Sequence, residues 1–197
     1  MEPDHPGANL VLGDIYYRQG QYENAVASLE KHAKCCQIDC EFYLTRGFNY
    51  LFIQKGEAAA NDARACLAVS GWHHRTSQYM ALLGHYGYRM VGRWEAAKDI
   101  LEEAARSVDT SAWPFPVIQY LRREISVDQL VARAASADEY TEAHSYVGLD
   151  LLLAGHESEA MDHFRWVREN GNQTFFEYHL AVAALNRHGQ ATSKGPE

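Results

Sequence analysis

Leu12-Gly13-Asp14-Ile15-Tyr16-Tyr17-Arg18-Gln19-Gly20-Gln21-Tyr22-Glu23-Asn24-Ala25-Val26-Ala27-Ser28-Leu29 is the stretch whose reading decides the fold. Leu12, Tyr16, Tyr22, Ala25 and Leu29 form an apolar stripe at helical spacing, interrupted at Gly20. That pattern specifies two short amphipathic helices joined by a tight turn. Gly13 and Ala25 are the small residues of the pair, and their size lets one helix lie close against the other.

The pattern returns. With Gly13 as reference, equivalents fall at Gly47 (followed by Tyr50, Ala59, Ala63, Cys66), His85 (Tyr88, Gly92, Trp94, Ala97, Leu101, Ala104) and Gly148 (Leu151, Gly155, Ala160, Phe164, Val167). A Leu-Gly-x-x-Tyr followed by Ala, with a period of about 34 residues, is the tetratricopeptide signature. Over residues 6 to 170 the chain resembles a tetratricopeptide repeat protein. The resemblance implies an all-α, right-handed α/α superhelix, a solenoid.

Outward from the repeats, helical signals dominate and no alternating Val, Ile or Thr run marks a strand. Helices are expected near 8–19, 22–35, 40–54, 57–69, 73–91, 94–107, 115–123, 127–135, 138–154, 157–169 and 173–188. These form a single helical domain over 6–188, with repeats at about 6–38, 40–70, 78–108 and 141–171. An insertion fills 113–136, a capping helix covers 173–188, and 189–197 is expected to be a disordered tail. In the insertion, Trp113-Pro114-Phe115-Pro116 imposes an extended lead-in. Ile118, Tyr120, Leu121, Ile125 and Leu130 should pack on the third repeat. Ser126 and Gln129 have capping-box spacing.

Trp113-Pro114, Val117 to Leu121, Ile125-Ser126, Leu130, Thr141 to Gly148, Phe164, Asn170 and Phe175 to Tyr178 carry a narrower likeness. Over 113–188 they are similar to the closing half of the NlpI-type bacterial envelope lipoproteins. That resemblance implies an all-helical, commonly dimeric scaffold that holds cell-wall hydrolases and a periplasmic protease. Met1 to Pro6 carries neither the basic start nor the apolar core of a secretory signal, and no lipid-accepting Cys stands near it. The chain as written therefore reads as cytoplasmic, with an envelope location if a segment is missing upstream.

Composition narrows the function classes. The 197 residues carry a net charge of −8 with 47% apolar content. This disfavours nucleic acid as a partner, and no window approaches the ~20 apolar residues of a membrane span. Cys35, Cys36, Cys40 and Cys66 lack a regular framework and read as small residues of a reducing compartment, with a disulfide or a zinc site as alternatives.

In tetratricopeptide arrays the first helix of each pair lines a concave groove where partners bind. Groove-facing offsets here are three before the reference residue and one, four and five after it. They select Leu10, Asp14, Tyr17 and Arg18; Leu44, Phe48, Leu51 and Phe52; Leu82, Tyr86, Arg89 and Met90; and Ser145, Leu149, Leu152 and Leu153. Such a groove suits an apolar or aromatic peptide or helix. Tyr17, Leu44, Phe48, Phe52, Leu82 and Tyr86 are the expected anchors, with Arg18 and Arg89 as polar selectors. Packing on a second subunit, giving a homodimer, is the alternative use of the same surface.

Catalytic and metal signals are weak. His156-Glu157 opens an H-E-x-x-H run whose second His is replaced by Ala160. His156 and His163 share a face, His73 and His74 diverge, and His85 and His144 sit at or beside the packing stripe. Glu102-Glu103 and Glu139 with Glu142 read as solvated faces, and Trp72, Trp94, Trp113 and Trp166 as packing residues. No nucleophile elbow, phosphate loop or dinucleotide fingerprint is present. The expectation is a non-enzymatic adaptor with no catalytic residue, no cofactor and no metal.

Overall fold

Turn chemistry and capping residues divide the chain into helices. In the computed structural model, which describes residues 6–193, these are α1 (Pro6–Arg18), α2 (Tyr22–Ala33), α3 (Cys40–Phe52), α4 (Gly56–Ser70), α5 (Ser77–Met90), α6 (Trp94–Ser107), α7 (Phe115–Leu121), α8 (Val127–Val131), α9 (Ala137–Leu153), α10 (Glu157–Asn170) and α11 (Phe176–Ser193). The described residues contain no strand, so the fold is all-α. Gly20 and Gly155, at φ of 72° and 85°, supply the left-handed turns after α1 and α9 that most side chains resist.

Caps fix several starts. Asp39 accepts from the Phe42 amide at 2.9 Å to begin α3. Ser126 and Gln129 bond reciprocally, completing the expected capping box of α8. Pro116 falls in the first turn of α7, where a missing N–H costs nothing. The tail differs from expectation, because Gly189 to Ser193 continue α11 rather than leaving the fold. Lys194 to Glu197, and Met1 to His5 at the other end, lie outside the described residues.

Contacts group the chain into two compact units, one through Ile100 and one from Leu101 onward. In the first, α1 packs on α2, α2 on α3, α3 on α4 and α5, and α4 on α5. Its core includes Val26, Leu29, Phe48, Leu51, Phe52, Met80, Leu82, Leu83 and Tyr86, each fully buried. Burying a side chain of this size stabilises by roughly 1.5–3 kcal/mol. In the second, α9 packs on α10, α11 lies against both, and α7 and α8 lie against α9. Leu180, Ala181 and Ala184 of α11 are buried there.

At two of the four reference positions a glycine meets a large side chain sixteen residues on. A Cβ on Gly13 would stand 2.8 Å from Leu29, and one on Gly148 would stand 2.6 Å from Phe164, both sixteen residues later. The third copy has the same spacing one residue earlier than read: Gly84 meets Ile100 at 2.4 Å. Neighbouring His85 is buried with its Nδ1 2.8 Å from the Ala97 carbonyl. In the second copy the residue sixteen on is Ala63, and Gly47 receives Leu83 instead.

The insertion is anchored by polar pairs as well as by Ile118, Tyr120, Leu121 and Leu130, which are buried. Tyr120 donates to Asp150 of α9 at 2.8 Å, and Arg123 binds the same carboxylate through two nitrogens. Arg122 reaches Glu102 in α6 at 3.0 Å. The Glu142 carboxylate is only 4% exposed and accepts from Trp113 Nε1 at 2.8 Å. Glu142 is therefore an internal acceptor, not part of a solvated face.

Candidate functional site

Most of the expected groove anchors are interior. Tyr17, Phe48, Phe52, Leu82 and Tyr86 are each no more than 6% exposed. Tyr17 of α1 stacks on Phe52 of α3 at 6.2 Å and 16°, and Tyr22 closes on the same ring at 4.7 Å. These rings fill the space between helices, so their contact area is already used within the unit. Arg89 is also buried, its guanidinium 5.4 Å over the Trp94 ring. Trp94 itself is 56% exposed, in contrast to its reading as a packing residue. Arg18 is exposed, its Nε donating to Asp14 at 2.8 Å, and Leu44 is half-buried.

The position three before the reference residue shows why. It is 43% exposed as Leu10, half-buried as Leu44 and fully buried as Leu82. Leu82 lies on α5, which packs on both α3 and α4, whereas α1 packs chiefly on α2. Leu10, Val11, Leu12 and Ile15 of α1 consequently stand open to solvent. Of these, Leu10 also lines a surface cavity of about 300 Å³, with His32, Ile38, Phe42, Thr45 and the carboxylates Asp39 and Glu41. Periodicity alone had assigned Leu12 to the packing stripe; the signal for its exposure is its place in the first copy.

Behind this surface the first unit is cross-braced. Arg46 forks onto Asp62 at 2.8 and 2.6 Å, with Phe42, Tyr43 and Tyr50 around the guanidinium at 5.1 to 5.9 Å. Burial pushes the Asp62 carboxyl up and outweighs the opposing pull of Arg46, so the pair gives orientation more than net stability. Tyr50 donates to Glu30 at 2.9 Å, tying α3 to α2.

The cysteines require a correction. Cys40 and Cys66 form a disulfide with Cα atoms 5.0 Å apart. The hairpin of α3 and α4 brings the two together across a sequence separation of 26, which no local spacing motif announces. Cys35 and Cys36 are free thiols. Burial and the neighbouring thiol push the Cys36 thiol up, its bond with Cys35 being the larger cause.

In the second unit the polar side chains are mostly committed to structure. Tyr146 donates to Glu177 at 2.5 Å, and Ser145 donates to the Glu177 carbonyl at 2.9 Å. Full burial pushes the Glu177 carboxyl up. His163 does not meet His156, which lies 3.6 Å from Glu159. It meets His144 of α9 instead, Nδ1 to Nδ1 at 3.0 Å, and the His144 ring stacks on Trp166 at 4.0 Å and 12°. Sequence spacing along one helix finds His156 and His163 but not a partner nineteen residues away on the facing helix.

No helix among the described residues is long and apolar enough to cross a membrane. No family model matches the chain, and no curated protein is significantly similar to it.

Proposed function

We propose that this protein is a non-enzymatic scaffold of tetratricopeptide type, an adaptor that captures an apolar or aromatic peptide or helix of another protein. The observation that carries this reading is the exposure of Val11, Leu12 and Ile15 on one side of α1, with Leu10, on another side of the helix, lining the cavity at Phe42. Neighbouring exposed apolar side chains such as Val11, Leu12 and Ile15 favour a protein partner. The recurring Gly-to-large contacts sixteen residues apart support the superhelical repeat architecture behind it. The Cys40–Cys66 disulfide favours an oxidising compartment, as the envelope-scaffold resemblance implies.

A second reading, a structural homodimer, draws on the same exposed residues of α1, because an apolar helix face can be closed by a second copy. Selection of displayed peptides against wild type, with counter-selection on a Val11→Asp/Ile15→Asp variant, tests the adaptor. Enriched Leu- and aromatic-rich peptides that fail to bind the variant support it. No enrichment, together with a concentration-dependent dimer that the same variant dissociates, replaces it with the homodimer.

A further inference from the structure

We infer that His144 and His163 form a chelating site for a divalent transition-metal ion that favours tetragonal nitrogen coordination, nickel(II) or copper(II). The two imidazoles project from different helices, α9 and α10, and bring their Nδ1 atoms to 3.0 Å. Imidazole nitrogens bind such ions at about 2.0–2.1 Å. Two nitrogens 3.0 Å apart then subtend about 95° at a shared ion. That is the cis angle of square-planar or octahedral coordination, and it is narrower than the tetrahedral angle of structural zinc.

Metal binding by imidazole requires a free lone pair on each Nδ1. Both rings are half-buried. Without metal, one Nδ1–H donates to the other Nδ1. With metal, that proton moves to Nε2 of the same ring, and the neutral pair binds without net proton release.

Two further features fit the site to a cation. The negative charges of Asp162 and Glu159 on α10 act on His163 and would favour a positive ion there. Trp166 holds the His144 ring face to face, limiting its rotation, and Tyr140 packs on the far part of the indole at 6.2 Å. No group of three or more His, Cys, Asp or Glu side chains converges among the described residues. Water must fill the remaining positions, which makes this an open, exchangeable site and not a closed structural one.

Titration of the purified full-length protein with nickel sulfate, followed by calorimetry and tryptophan fluorescence, tests the inference. The expected result is one equivalent bound with loss of part of the tryptophan emission. His144→Ala and His163→Ala should each weaken binding by more than the ~10–100-fold that loss of an outer-shell partner costs. Trp166→Phe should abolish the emission change while leaving the calorimetric equivalent in place. No bound nickel in wild type, or binding unaltered in both histidine variants, overturns the site. If the histidine variants lose their helical circular dichroism, imidazole nitrogen spectra of wild type decide: selective broadening at His144 and His163 supports the site, and broadening elsewhere alone refutes it.

Discussion

Gly87 of α5 lies so close to Gly56 of α4 that a Cβ on Gly87 would stand 2.5 Å from the Gly56 carbonyl oxygen and 2.8 Å from the Ala60 nitrogen. Both obstacles are backbone atoms, which cannot rotate aside as a side chain can. Gly87→Ala must therefore push α4 away from α5, and the overpacking cost is about 1–3 kcal/mol or more. Gly189→Ala is the control, since nothing lies within 4 Å of its added Cβ and the position is inside α11. There the substitution should gain about 0.5–1 kcal/mol from helix entropy. Urea unfolding of the two variants checks the contrast; equal midpoints would mean that the α4 to α5 contact yields easily.

Reduction of Cys40–Cys66 should lower stability by about 3–4 kcal/mol if chain entropy governs the effect, given the separation of 26 residues. The free thiols Cys35 and Cys36 complicate the measurement, because they offer exchange partners during unfolding. Comparison of the Cys35→Ser/Cys36→Ser protein with and without a phosphine reductant removes that complication. Coincident melting curves would show that the bridge contributes nothing beyond the packing of α3 on α4.

The helices were legible because their causes are local. Glycine turns, the Ser126 to Gln129 capping box and the prolines at the start of α7 act over four or five residues, and each places a helix end close to where it is found. The apolar stripe also separates packing from solvent faces, provided both sides of a helix have neighbours of the expected kind. That proviso fails at the candidate surface. Phe48 and Tyr86 fall off the repeat stripe yet are buried, while Leu12 falls on it yet is exposed on α1. Long-range pairings were silent for the same reason. Nothing near Cys40 announces Cys66, and nothing near His163 announces His144, because hairpin closure sets both distances.

Acid should destabilise the fold through the histidine pair. Burial, and next to it the charge of His163, lower His144 to about 4, against about 6.5 in an unfolded chain. His163 is lowered too, burial outweighing the opposing effects of Asp162 and Glu159. Between pH 6.5 and pH 4 the unfolded chain binds protons at these rings that the folded protein refuses. Stability is thus full above pH 6.5, falls as pH drops through that window, and levels off below pH 4, where folded His144 also charges. After allowance for the half-exposed setting, the loss is on the order of 1–2 kcal/mol. Carboxylates titrate over part of the same range, so the comparison that isolates the pair is wild type against His144→Phe, whose ring can still stack on Trp166. The variant should lose less stability than wild type between pH 7 and pH 4.5 in parallel urea titrations. Parallel losses would mean that the imidazoles reach water freely in the folded state, and the low basicity attributed to their burial would be withdrawn.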